Sequence, residues 1–188
     1  MNRRLGSTKK SLETRSNRLL TSLPAVLAMA MREQLATFFG KPDGRRVVLV
    51  GIGSLIRRDD AVGLHLLDLL EGKISSDVLL LKTETVPESY TGAIREFKPT
   101  HVLLIDAAHF NGKPGEGIII PTEMIANTTV STHSLPLNIF VDYIRRSICS
   151  NVALLGIQGV DIGMGEGLTE EVERGAEALF EILRDLLK

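Results

Sequence analysis

The 188-residue chain has one cysteine, almost no net charge and no long uninterrupted apolar run. A single thiol, Cys149, can build neither an internal disulfide framework nor a cysteine metal cluster. It fits a reducing compartment and predicts a cytoplasmic protein. With 22 Lys plus Arg against 23 Asp plus Glu, the formal charge is -1, which lacks the basic excess that neutralises nucleic-acid phosphates. The most apolar stretch, residues 19–39, is broken by Pro24 and by Arg32, Glu33 and Gln34, so it falls short of the roughly 20 apolar residues of a membrane span. Ala28-Met29-Ala30 only faintly imitates a signal-peptide cleavage site. There is no H-E-x-x-H helix, and Ser54 in GIGSL lacks the second glycine of a nucleophile elbow. A zincin and a Ser-hydrolase are both unsupported. Cys149, near a helix end in RRSICS, reads as a packed small apolar residue.

At roughly 100–200 residues per domain, the length predicts one globular unit with a substantial core. Residues 1–44 read as an extension: a basic, polar segment over 1–18, then an amphipathic helix within 19–39 that packs on the domain or on a second copy of the chain. Residues 45–188 read as the main domain, alternating strands and helices. Strands are expected at 47–51, 78–81, 101–105, 118–120 and 152–157, the fourth at a sheet edge. Helices are expected at 59–70, 87–97, 134–148 and 169–187, the last with Thr169 as its N-cap. This alternation predicts a three-layer α/β/α sandwich around a mostly parallel, about five-stranded twisted sheet, with an N-terminal helical extension.

Ligands bind such sheets beyond the carboxyl ends of the strands. Three segments lie there: GIGSLIRRDDAVG (51–63), IDAAHF (105–110) and VSTHSLPL (130–137). Asp59 and Asp60 start a helix, where an aspartate commonly caps the end or complements the dipole. One is enough for that, which leaves the other, preferentially Asp60, to face the sheet edge. Asp106 follows four apolar residues at a central strand end and either caps its loop or faces a ligand. His133 stands at a helix start, where the macrodipole favours the neutral, metal-binding imidazole; a hydrogen-bonded surface histidine is the alternative. His109 is kept as a supporting residue near Asp106. Together Asp60, Asp106 and His133 would give two carboxylates and an imidazole, a set that balances a divalent ion and suits nickel or zinc. Gly51 and Gly53 with Glu84 partly imitate a dinucleotide-binding turn, but Ile56 occupies the third glycine position. The plainer reading of both glycines is a tight strand exit.

Five motifs in order, GIGSLIRRDDAVG, VPES (86–89), KPTHVLLIDAAH (98–109), STHSLPLNIF (131–140) and LLGIQ (154–158), resemble the nickel-iron hydrogenase maturation endopeptidases, closest to the branch serving formate-hydrogenlyase-type enzymes. The resemblance runs from Val47 to the C-terminus. It implies an endopeptidase that removes a C-terminal extension from a hydrogenase large-subunit precursor after nickel insertion. Nickel, carried by the precursor, serves as the checkpoint, with no organic cofactor. Carried over residue by residue, the metal-binding and catalytic positions are Asp60, Asp106 and His133. Candidate partners are the precursor, nickel-insertion factors and, through the N-terminal helix, a second copy of the chain.

Two departures stand out. Ser54 replaces the family's usual asparagine, and Thr83-Glu84-Thr85 replaces a D-G-G turn. The first keeps a hydrogen-bonding group, whereas the second bears on substrate choice. Competing readings are a related α/β peptidase acting on another protein, a nucleotide-binding module built on the Gly51/Gly53 turn, and a scaffold whose N-terminal helix recruits a maturation partner.

Overall fold

The computed structural model describes residues 25–125, 137–148 and 151–188. The expected residues 1–24, the start of the helix at 134–136, His133 and Cys149 lie outside them. Five strands, β1 (Val47–Ile52), β2 (Val78–Glu84), β3 (His101–Ala108), β4 (Gly117–Pro121) and β5 (Asn151–Gln158), form one sheet in the order β2-β1-β3-β5-β4. All neighbours are parallel except β4, which runs antiparallel to β5 at the edge. The continuous apolar runs of β1, β3 and β5 follow from burial on both faces, the signature of parallel sheets covered by helices.

Alternation along the strands divides the core in two. Leu49, Leu103, Ile105, Leu155 and Ile157 face one side. There they meet α1 (Ala25–Phe39), α2 (Val62–Leu70) and α6 (Glu170–Leu186). Val48, Val50, Val102, Leu104 and Leu154 face the other, against α3 (Thr91–Phe97) and α5 (Leu137–Ile148), while the single turn α4 (Thr122–Ile125) closes the edge beside β4. The three-layer α/β/α sandwich expected from the alternation is the observed architecture. In α5, Leu137, Phe140, Val141 and Ile144 repeat at three- and four-residue intervals and make its buried stripe.

In α1, Met31, Leu35 and Phe39, spaced by four residues, are buried in the same core as α6. This helix therefore packs on its own domain. Arg45 adds a tie by donating to the Leu186 carbonyl at 2.6 Å. No helix among the described residues is long and apolar enough to cross a membrane.

Several local expectations change: the helix expected at 87–97 opens as a 3-10 turn, Pro87–Tyr90, before α3, and the strand expected at 78–81 runs on to Glu84. The helix expected from Asp59 opens as a 3-10 turn, Arg58–Ala61, before α2 begins. The strand expected to stop before Asp106 continues through it to Ala108, because Asp106, Ala107 and Ala108 pair with Gly156, Ile157 and Gln158 of β5. Thr169 occupies the N-cap position with extended backbone, yet its hydroxyl does not cap α6. It is drawn instead to Asp59.

Candidate active site

The chain leaves β1 toward β2 on one side and leaves β3 toward β5 and β4 on the other, so β1 and β3 flank the switch point of the sheet. Crevices form there, at the carboxyl ends of the strands. Asp60 lies in the 3-10 turn after β1, and Asp106 lies in the last part of β3, within the same crevice region. The 3-10 turn packs directly against β3.

Two glycines permit this approach. Gly53 has φ +134°, and a Cβ there would lie 1.7 Å from the Asp60 carbonyl oxygen. A Cβ on Gly63 would meet the carbonyl oxygens of Ile105 at 2.3 Å and Ile52 at 2.6 Å, so no larger residue lets α2 start on the ends of β1 and β3. The space these glycines leave is filled by the chain's own backbone, as a tight strand exit requires.

The adjacent aspartates divide their tasks. Asp59 is fully buried and saturated: it accepts from the N–H groups of Val160 and Asp161, each at 2.9 Å, and from Thr169 N–H and hydroxyl. Asp60 is also buried, but its Oδ2 has no hydrogen-bond partner among the described residues. Burying a carboxylate oxygen without a partner is costly, so Asp59 is satisfied by the fold's own donors whereas Asp60 makes the stronger candidate for a site residue. Asp106 is buried at 1% exposure. His133, the third expected ligand, lies outside the described residues, and no group of three potential metal-binding side chains occurs among the described ones.

Gln158 received no individual role from the sequence, although it ends the LLGIQ motif. It is buried at the carboxyl end of β5, where its Oε1 accepts from the N–H groups of Phe110 and Gly112, and its Nε2 donates to the Gly159 carbonyl. It thereby shapes the loop after β3 and the loop after β5 together. The exposed His109 contacts Gln158 through Nδ1 at 3.1 Å and belongs to this loop scaffold. Across the crevice, the Thr83 hydroxyl donates to Gly51 O at 3.0 Å, and Gly53 N–H donates to Glu84 O at 3.1 Å. These bonds fasten the end of β2 to the glycine turn. Glu84, one of the residues replacing the D-G-G turn, adopts φ +49°.

A cavity of about 620 Å³ lies at the opposite, amino-terminal edge, lined by His101, Arg145, Asn151 and residues of α1 and β4. It contains none of the expected site residues. The crevice between β1 and β3 is the better candidate, because both aspartates lie there.

A mostly parallel α/β/α sandwich with buried carboxylates at its switch point defines an α/β protein with a candidate site at the carboxyl edge of the sheet. Comparison with known proteins specifies the chemistry. The family profile HycI, hydrogenase maturation protease, matches residues 65–185. The crystal structure of a nickel-iron hydrogenase maturation protease, HycI, from Thermococcus kodakarensis superposes with a TM-score of 0.73 at 38% identity, covering 81% of this chain and 97% of that one. An inferred hydrogenase maturation protease of Methanocaldococcus jannaschii is 33% identical over 152 residues, 77% of this chain and 89% of the relative. The hydrogenase 3 maturation protease of Escherichia coli K12 is 29% identical over 137 residues, 72% of this chain and 87% of the relative. The chain belongs to the HycI family of hydrogenase maturation proteases, and is a peptidase.

Proposed function

We propose that this peptidase removes a C-terminal extension from a nickel-iron hydrogenase large-subunit precursor, using nickel already inserted in that precursor as its checkpoint. The observation that carries this reading is the buried Asp60 Oδ2, left without a hydrogen-bond partner among the described residues at the β1/β3 switch point. A carboxylate held in that state is preorganised for a cation brought from outside. Asp106 supplies a second carboxylate at the same edge, and His133, outside the described residues, is the third member by family resemblance. Two carboxylates and one imidazole balance a divalent ion and leave coordination positions for the substrate's own ligands.

The ion belongs to the substrate, and recognition of it would place the scissile bond at the rim of the sheet. Two chemistries are then available. A carboxylate of the pair can take the proton from water attacking the scissile carbonyl, or the ion can polarise that carbonyl. Mature hydrogenase lacks the extension and would be released.

The test is cleavage of precursor prepared with and without nickel. Wild type should process only the loaded form, and Asp60→Asn, Asp106→Asn and His133→Ala should each slow it by about 100-fold or more while remaining folded. Equal processing of nickel-free precursor refutes the checkpoint, and normal processing by all three variants refutes the site.

A further inference from the structure

Six of the eleven large apolar residues exposed among the described residues project from loops at the carboxyl edge of the sheet. Five belong to two loops: Leu55 and Ile56 after β1, and Val160, Ile162 and Met164 after β5, each between 45% and 74% exposed. These loops act as one body. Arg58 N–H donates to Gly165 O at 3.0 Å, Gly165 N–H to Ile56 O at 2.9 Å, and Asp59 N–H to Asp161 O at 3.0 Å. The buried Asp59 carboxylate adds its bonds to Val160, Asp161 and Thr169.

The two arginines of the first loop reach across to the second. Arg57 Nε donates to Ile162 O at 3.1 Å, and Arg58 Nε lies 3.3 Å from Asp161 Oδ2. Arg58 is held at φ +43°, a conformation that a non-glycine residue keeps only when its surroundings enforce it. The exposed Arg58–Asp161 pair and the exposed Glu166 rim the five apolar side chains that face solvent beside them. Clustered exposed apolar side chains rimmed by paired charges mark a protein-interaction surface.

We propose that Leu55, Ile56, Val160, Ile162 and Met164 form a docking ledge that seats an apolar stretch of the polypeptide substrate beside Asp60. The occupant follows from continuity: the ledge is built on the turn that carries Asp60, and a peptidase brings polypeptide to that turn. Ordering of the ledge by Asp59 before the substrate arrives lowers the entropic cost of docking. The inference rests on the precursor-processing reading and deepens it, because it assigns substrate affinity to residues outside the carboxylate and imidazole set.

The experiment is steady-state cleavage of nickel-loaded hydrogenase large-subunit precursor by the full chain carrying Ile162→Asp with Met164→Asp. A charge on an apolar contact weakens docking and leaves the reacting groups in place, so KM should rise about tenfold or more with kcat changed less than about twofold. The serine versions of both substitutions should give the same split at smaller size. Val26→Asp with Met29→Asp, on the exposed face of α1, should leave both constants unchanged. An unchanged KM in the ledge variants, or an equal rise in the α1 variant, overturns the ledge while leaving the precursor reading intact. Failure of wild type to cleave the loaded precursor overturns that reading and the ledge with it. A wild-type dimer that the ledge charges split, with KM unmoved, overturns the proposal in favour of a second copy as occupant.

Discussion

Asp59 and Thr169, 110 residues apart, are joined twice: the Asp59 carboxylate accepts from the Thr169 N–H at 2.7 Å and from its hydroxyl at 3.0 Å. With the Val160 and Asp161 N–H groups also bound, this one side chain connects the turn after β1 to the start of α6. Its neighbour Asp60 is thereby fixed at the rim without having to make these bonds itself.

Replacing Asp59 by alanine should therefore cost about 2–4 kcal/mol, since several buried N–H donors lose a charged acceptor at once. Thr169→Val removes only the hydroxyl bond and should cost about 1 kcal/mol. Because both changes break the same contact, the double variant should be less destabilised than the sum. Urea denaturation of the four proteins measures this coupling, and additive costs would argue against the clamp.

Asp60→Asn should behave in the opposite way. Removing a charge from a buried oxygen with no described hydrogen-bond partner relieves desolvation, so stability should stay level or rise by up to about 1 kcal/mol while precursor cleavage collapses. Denaturation and cleavage on the same preparation decide the matter. A large loss of stability would make Asp60 a structural residue like Asp59.

The different fates of these two aspartates show how far the sequence could be followed. The sheet was legible because Val47 to Val50, Val102 to Ile105 and Val152 to Leu155 are local apolar runs whose burial needs no knowledge of distant partners. The preference for Asp60 came from counting: one carboxylate suffices at a helix start. The actual work of Asp59 was hidden because its acceptor bonds reach residues 101 to 110 positions away. Gln158 was hidden for the same reason, its partners in the β3 loop lying 46 and 48 positions back. Thr169 sits where an N-cap belongs, and only the tertiary contact turns its hydroxyl elsewhere. The end of β3 was missed because Asp106-Ala107-Ala108 resembles a loop locally, whereas the register with β5 makes it strand.

Glu84 occupies a backbone conformation that suits glycine. At φ +49° its Cβ crowds the backbone, a penalty of roughly 1–2 kcal/mol in the left-handed region. Glycine's greater freedom in the unfolded chain offsets part of the relief. Glu84→Gly should thus raise stability by up to about 1 kcal/mol, visible as a higher melting temperature. Because Gly53 N–H bonds to the Glu84 carbonyl, which glycine retains, the glycine turn should keep its shape. A lower melting temperature would mean that the Glu84 side chain has stabilising interactions exceeding the strain.

His101 gives the fold a defined pH sensitivity at the edge away from the candidate site. Burial, followed by the charge of Arg45, holds its imidazole pKa below the usual 6.5. Its surroundings explain the burial: the ring lies edge-on to Phe38, with centroids 5.4 Å apart, and its Nδ1 is 2.8 Å from the Thr100 hydroxyl. Well above pH 6.5 the ring is neutral in both states, and it makes no pH-dependent difference. As pH falls through that value the unfolded chain takes up the proton first, so stability drops progressively until the lower folded-state pKa is passed. His101→Gln should remove this component. Urea midpoints at about pH 7.5 and about pH 5.5 should therefore separate more widely for wild type than for the variant. Equal separations would mean that the protonated imidazole is accommodated in the folded protein as readily as in the unfolded chain.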